Sequence, residues 1–92
     1  MYGIVTRFAA AEGKRRELAD ILIAASKGMR GCANYTVGLD RADENAIIVS
    51  ELWKSEKDHL ASLESDKVRN AIAKGRPMIA GAERLSTFDA HK

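Results

Sequence analysis

The segment Ala46–Trp53 (AIIVSELW) constrains the fold more than any other, because it predicts a β-strand that is apolar on both faces. Successive side chains of a strand point to opposite sides of the sheet. One side therefore carries Ile47, Val49, Glu51 and Trp53, and the other carries Ile48, Ser50 and Leu52. Helices connecting the strands can cover one side only. The other side then needs a second apolar surface, because exposing it to water costs roughly 25 cal/mol per Å².

The other elements are predicted from periodicity, caps and turn residues. Two more strands are expected at residues 2–8 and Cys32–Leu39, and a weaker one at residues 83–88. An amphipathic helix is expected at about residues 13–27, and two shorter helices should begin after Ser55 and Ser65.

The resulting order, β-α-β-β-α(α)-β, is typical of a ferredoxin-like α+β fold with a four-stranded antiparallel sheet and helices on one face. Its 92 residues make one domain, 1–92. Because the central strand is apolar on its second face as well, the sequence predicts a two-fold homodimer packed sheet to sheet.

Composition excludes several functional classes. The net charge of +2 is small, and its charges are too interspersed for a nucleic-acid surface. No apolar run approaches the ~20 residues of a membrane span. The single cysteine, Cys32, has no partner for a disulfide or a thiolate metal site, and it is expected to be a small buried apolar residue. We therefore expect a cytoplasmic protein without a metal site.

Candidate chemistry concentrates where the central strand ends and the next helix begins. Trp53 is the only tryptophan, Glu51 precedes it by two residues, and His59 follows a serine cap. Imidazole titrates near neutral pH, so His59 is the predicted acid–base group, with Glu51 orienting it or accepting a proton. The residues are equally compatible with structural roles, in which His59 hydrogen-bonds to the sheet and Trp53 packs in the core.

Three other features allow a functional and a structural interpretation. Tyr35 could donate its hydroxyl to a substrate oxygen, although strand tyrosines usually serve packing. Arg7 could bind an anion, but its position favours a salt bridge across a dimer. The basic start of the first helix could hold an anionic ligand, although a solvated surface is favoured; its residues are Lys14, Arg15 and Arg16.

The order and spacing of several short motifs resemble the antibiotic biosynthesis monooxygenase family over almost the whole chain. The matching pieces are RF and EGK before helix one, GCANY at strand two, SELWKSEKDHLAS from strand three into helix two, and PMIAG before the last strand. The resemblance implies a dimeric α/β barrel with a pocket between sheet and helices. Some members oxygenate phenolic or quinol substrates without metal, flavin or haem, whereas others degrade haem, isomerise a small phosphorylated molecule or have no assigned activity.

The resemblance also implies roles for individual residues. Trp53 stands where cofactor-independent members place a pocket tryptophan, and His59 stands where many members have a histidine. Val49 stands where an anthrone-oxidising member has an asparagine; a valine cannot hydrogen-bond a phenolate, so that mechanism is not expected. Haem degradation is not expected either. Thr6 stands where haem-degrading members require an asparagine, and His59 stands where they require a tryptophan. Residues 65–77 contain no histidine to bind the haem iron.

Together these inferences predict a cofactor-independent monooxygenase acting with molecular oxygen on a small aromatic, phenolic or quinol substrate. The predicted catalytic residues are His59 and Glu51, and the predicted substrate-binding residues are Trp53, Tyr35, Thr6 and Val49. The first alternative is an isomerase or other proton-transfer enzyme acting on a small polar metabolite. The second is a dimer that binds a small ligand without catalysis.

Overall fold

A four-stranded antiparallel sheet is the centre of the structure, a computed structural model that describes residues 1–91. The strands are β1 (Tyr2–Ala10), β2 (Cys32–Leu39), β3 (Ala46–Trp53) and β4 (Ile79–Asp89). The helices are α1 (Arg15–Ser26), α2 (Glu56–Ser62) and α3 (Asp66–Gly75), and a 3₁₀ turn, Arg76–Met78, leads into β4. The sheet order is β2-β3-β1-β4, which confirms the predicted ferredoxin-like topology. No helix within residues 1–91 is long and apolar enough to cross a membrane.

The strand and helix bounds differ from the predicted ones mainly at β4. This strand begins at Ile79, four residues before the prediction, because Gly81 and Ala82 pair with the end of β1. Alanine and glycine have low strand propensity, so only the pairing partner makes this stretch a strand. Helix α1 begins at Arg15, two residues later than predicted, because Gly13 has a φ of +78° and cannot be helical.

Two arginines hold the connection between β2 and β3 against the rest of the fold. The Arg15 guanidinium donates to the backbone carbonyls of Asp40, Asp43 and Ala46 at 3.0, 3.0 and 3.4 Å. Arg7 pairs with the Asp43 carboxylate of its own chain at 2.9 Å, where the sequence had favoured a partner across a dimer. The start of α1 therefore serves the fold, with its central arginine bonded to backbone carbonyls.

Serine caps begin α2 and α3 as predicted. Ser55 Oγ accepts a hydrogen bond from the Asp58 backbone N–H, and Ser65 Oγ accepts one from that of Val68, both at 3.2 Å. Such caps satisfy an otherwise unpaired helical N–H and contribute about 1 kcal/mol each. The cap at Ser55 also fixes the direction in which α2 leaves β3.

The helices cover one face of the sheet and leave the other without cover from the chain itself. On this second face, which we call the open face, Val5, Ile48 and Leu52 are only half-buried and Phe88 is exposed. The Phe88 ring lies where a Cβ on Gly3 would stand, so glycine lets the ring pack flat on β1. Edge strands β2 and β4 do not pair with each other, so the sheet of a single chain is not closed.

Candidate active site

A cavity of about 540 Å³ lies between the helices and the face of the sheet that they cover. Sites for small molecules typically enclose about 300–1,000 Å³ with mostly apolar walls. The apolar wall is provided by α1, by α3 and by the residue that follows α2, and it includes Leu18, Ile21, Leu22, Leu63, Val68 and Ile72. The polar side chains converge from the sheet and α2 and include Thr6, Tyr35, Glu51, His59 and Arg84.

The junction of β3 and α2 places three of the predicted residues together. Alternation along β3 points Glu51 and Trp53 to the helix-covered side, where Trp53 is 1% exposed. The Ser55 cap then begins α2, and its first turn brings His59 back over the end of the strand. His59 is 7% exposed, so its imidazole faces the cavity rather than bulk water.

Within this junction, Glu51 is the centre of a short polar chain. Its Oε1 accepts a hydrogen bond from Trp53 Nε1 at 3.0 Å and lies 4.0 Å from His59 Nε2. The indole and imidazole rings meet edge to face, with centroids 5.3 Å apart and an interplanar angle of 64°. At 4.0 Å the histidine and the carboxylate are not hydrogen-bonded, but a proton gained by His59 would make them an ion pair.

The surroundings of His59 favour its neutral form. Burial lowers the pKa of the imidazole below its ordinary 6.5, and the nearby Arg84 charge lowers it as well, whereas Glu51 opposes both effects. A neutral imidazole at neutral pH has a lone pair with which to accept a proton. The site therefore holds His59 in the protonation state that a general base needs.

Tyr35 is held in the opposite state, as a hydrogen donor. It lies directly across from Glu51 in the pairing of β2 with β3 and lines the cavity. Burial raises the pKa of its hydroxyl far above the ordinary value, and the Glu51 charge raises it further. The phenol therefore stays protonated at every physiological pH and can donate to an oxygen atom in the cavity.

The pKa of His59 leads to a prediction about stability. Because the folded state disfavours the charged imidazole, the unfolded chain takes up a proton first as the pH falls below 6.5. The free energy of unfolding should decrease over this range as the pH falls, and the decrease should be smaller in His59→Gln. Urea denaturation between about pH 7.5 and pH 5 measures this. His91→Gln, an exposed histidine, is the matched control and should keep the wild-type dependence.

One predicted substrate-binding residue does not reach the cavity. Val49 is 0% exposed and packs in the core with Leu18 and Ile47 beneath α1, so it is not among the residues that line the cavity. The alternation along β3 correctly predicts that Val49 lies on the helix-covered face, but it does not show which part of the strand α1 covers. Val49 is therefore left out of the candidate site, whereas Thr6, Tyr35, Glu51, Trp53 and His59 all line the cavity.

Cys32 lies more open than predicted, and Leu60 is exposed. Cys32 is half-buried rather than fully buried, and burial together with the Glu51 charge raises the pKa of its thiol. Leu60, the residue after His59 in α2, is 54% exposed, because the turn that buries His59 points the next residue outward. Within residues 1–91, no three His, Cys, Asp or Glu side chains are close enough together to hold a metal ion.

Sequence reasoning missed Arg84 and Tyr2. Arg84 lines the cavity from β4, opposite Thr6, and the Tyr2 ring lies 6.2 Å from the ring of His59. The only sequence signal for Tyr2 is its place two residues before Ile4 on the covered face. Arg84 had no such signal, because irregular pairing of β4 changes which residues share a face.

Comparison with known proteins identifies the family. The family model described as antibiotic biosynthesis monooxygenase matches residues 1–74. A crystal structure of a candidate antibiotic biosynthesis monooxygenase from Chloroflexus aurantiacus is 36% identical, with a TM-score of 0.86; the match covers 99% of this chain and 96% of that one.

Two more distant structures share the fold. A candidate antibiotic biosynthesis monooxygenase from Caulobacter crescentus is 21% identical, with a TM-score of 0.89 and coverage of 99% and 90% of the two chains. One from Deinococcus radiodurans is 18% identical, with a TM-score of 0.83 and coverage of 100% and 94%. No curated protein matches the sequence. The family model and the Chloroflexus relative together show that this chain belongs to the antibiotic biosynthesis monooxygenase family.

Proposed function

We propose that the protein is a monooxygenase that oxidises a small aromatic, phenolic or quinol substrate with molecular oxygen, without a metal, flavin or haem. One observation carries the proposal: a buried, neutral imidazole faces a carboxylate 4.0 Å away inside a mostly apolar cavity. Membership of the family and likeness to proteins named as candidate monooxygenases support the reaction class.

In the proposed reaction, His59 acts as the base. Its imidazole accepts the proton of a substrate hydroxyl, and Glu51 stabilises the imidazolium that forms. The substrate anion then supplies the electrons that reduce oxygen. For a hydroquinone, one oxygen atom replaces a ring hydrogen and the other leaves as water, so hydroquinone and O₂ give hydroxyquinone and water with all atoms and electrons balanced.

The other cavity residues hold the substrate in the proposed reaction. Tyr35 donates its hydroxyl proton to the substrate oxygen, because its raised pKa keeps it a donor. Trp53 and Thr6 form the wall beside the reacting ring. The apolar helices exclude water, which strengthens these polar contacts and protects the reactive anion.

The proposal includes a two-fold homodimer. The open face carries Val5, Ile48, Leu52 and Phe88, and no part of the chain within residues 1–91 packs over it. A second copy would bury these side chains and close two open sheets against each other. Since the cavity lies on the opposite face, each subunit keeps its own site.

Oxygen uptake with a panel of hydroquinones and anthrones tests the proposed reaction. Incorporation of one atom from isotopically labelled O₂, detected by mass spectrometry of the product, would support it. Turnover that continues without oxygen would instead support an isomerase. A ligand that co-purifies and survives long incubation with oxygen would support a binding protein; either result would overturn the proposal.

No observation favours the isomerase on structural grounds. If the polar metabolite of an isomerase were an anion, the basic start of α1 would be the expected place to bind it. Arg15, in the middle of that basic run, is bonded to three backbone carbonyls, and none of the three basic residues there lines the cavity.

A further inference from the structure

Arg84 lines the cavity from an exposed position on β4, and its guanidinium forms no ion pair within the described residues. The four ion pairs of residues 1–91 all involve other side chains. Among the cavity-lining residues within 1–91, Arg84 is also the only lysine or arginine. A guanidinium is always charged and presents donors in a planar fork, which fits a carboxylate with two parallel hydrogen bonds.

A β-bulge is the reason that Arg84 faces the cavity. Val5 pairs with Ser86, but the next residue of β1, Thr6, pairs with Arg84, so Leu85 is an extra residue in β4. Regular alternation from Thr87 would place Leu85 on the cavity side and Arg84 on the open face. The bulge instead brings Arg84 to the cavity side, where Leu85 is not among the lining residues, and bulges often re-aim a side chain beside a functional site.

The charges of the cavity indicate what kind of anion would fit. Glu51 and Arg84 are the acidic and basic side chains among the described residues that line the cavity, and His59 is held neutral beside them. With Glu51 and Arg84 of opposite sign, a bound carboxylate leaves one net negative charge in the cavity. A phosphate close to doubly charged would leave about two, so the arrangement favours a carboxylate.

We propose that Arg84 is a specificity-determining residue that binds a carboxylate on the substrate, so that the preferred substrates are aromatic or quinol acids rather than neutral rings. This inference rests on the proposed function, because it places the ring of the same substrate beside His59 and Trp53. The carboxylate pairs with Arg84 on β4 while the ring occupies the apolar space under the helices.

Calorimetric titration without oxygen tests the inference independently of turnover. The probes are gentisate, which is a quinol carboxylate, its neutral methyl ester, and hydroquinone monophosphate. Wild type should bind gentisate roughly tenfold more tightly than the ester, because a hydrogen bond between charged groups typically raises the binding affinity by about a factor of ten or more. Arg84→Gln should lose this preference, and Arg84→Lys should keep part of it.

Arg16→Gln is the matched control, because it removes the same charge from an exposed position on α1 and should leave the preference unchanged. Equal affinity for gentisate and its ester in wild type, or an unchanged preference in Arg84→Gln, would overturn the inference. Tighter binding of the phosphate would overturn the choice of a carboxylate. An Arg84-dependent preference without any oxygen uptake would support the binding site while the proposed oxygenation fails.

Discussion

Replacing His59 with alanine should lower the rate of oxygen-dependent turnover by a factor of roughly 10² or more. General acid–base catalysis by a positioned side chain typically contributes about 10²–10⁴-fold, and His59 is the buried, neutral imidazole of the cavity. Oxygen-electrode measurements of kcat with a quinol substrate give the effect. His91→Ala, a change in the exposed tail, should retain the wild-type rate.

Two further variants separate catalysis from folding. His59→Gln keeps a polar group of similar size but cannot act as a base at neutral pH, so it should be as inactive as the alanine variant. Glu51→Gln keeps an oxygen that can accept the Trp53 hydrogen bond while removing the charge 4.0 Å from His59. It should lower kcat more than it changes KM. Folded variants, verified by circular dichroism, that turn over at the wild-type rate would show that His59 is a structural residue.

Replacing Leu52 with aspartate should convert the proposed dimer to monomers. Leu52 is a half-buried residue of the open face, and a two-fold interface would contain two copies of the new carboxylate. Burying an unpaired charge costs several kcal/mol, so the dissociation constant should rise by roughly a thousandfold or more. Sedimentation velocity at micromolar protein concentration measures the change.

Leu60→Asp provides the control for this experiment. It introduces the same chemical change at a leucine that is 54% exposed on α2, away from the open face, and it should remain dimeric. A wild-type protein that sediments as a monomer would contradict the dimer directly. So would a Leu52→Asp variant that stays dimeric, because it would place the contact elsewhere on the molecule.

The centre of the fold was predictable from the sequence because it depends on local rules. The bounds of β2 and β3 follow from turn residues and apolar alternation, and both serine caps follow from helix chemistry. The same rules brought Glu51, Trp53 and His59 together, since alternation along one strand and one capped turn decide their directions.

What the sequence did not predict depends on contacts between distant parts of the chain. The position of α1 over the sheet buries Val49 in the core, and no local pattern encodes that position. The bulge at Leu85 exists only in the pairing of β4 with β1, so alternation alone would have turned Arg84 away from the cavity. The early start of β4 has the same origin, because its alanine and glycine residues become a strand only beside a partner.

The position of β1 in the middle of the sheet has a consequence for how the protein is made. One of its two neighbours is β4, whose register joins Tyr2 to Asp89, so the first strand of the sheet pairs with its last. Closing so long a loop is entropically costly and makes folding slow relative to helical proteins. Until β4 has left the ribosome, β1 must keep an unpaired backbone edge, and the nascent chain is then most exposed to misassociation and most in need of a chaperone.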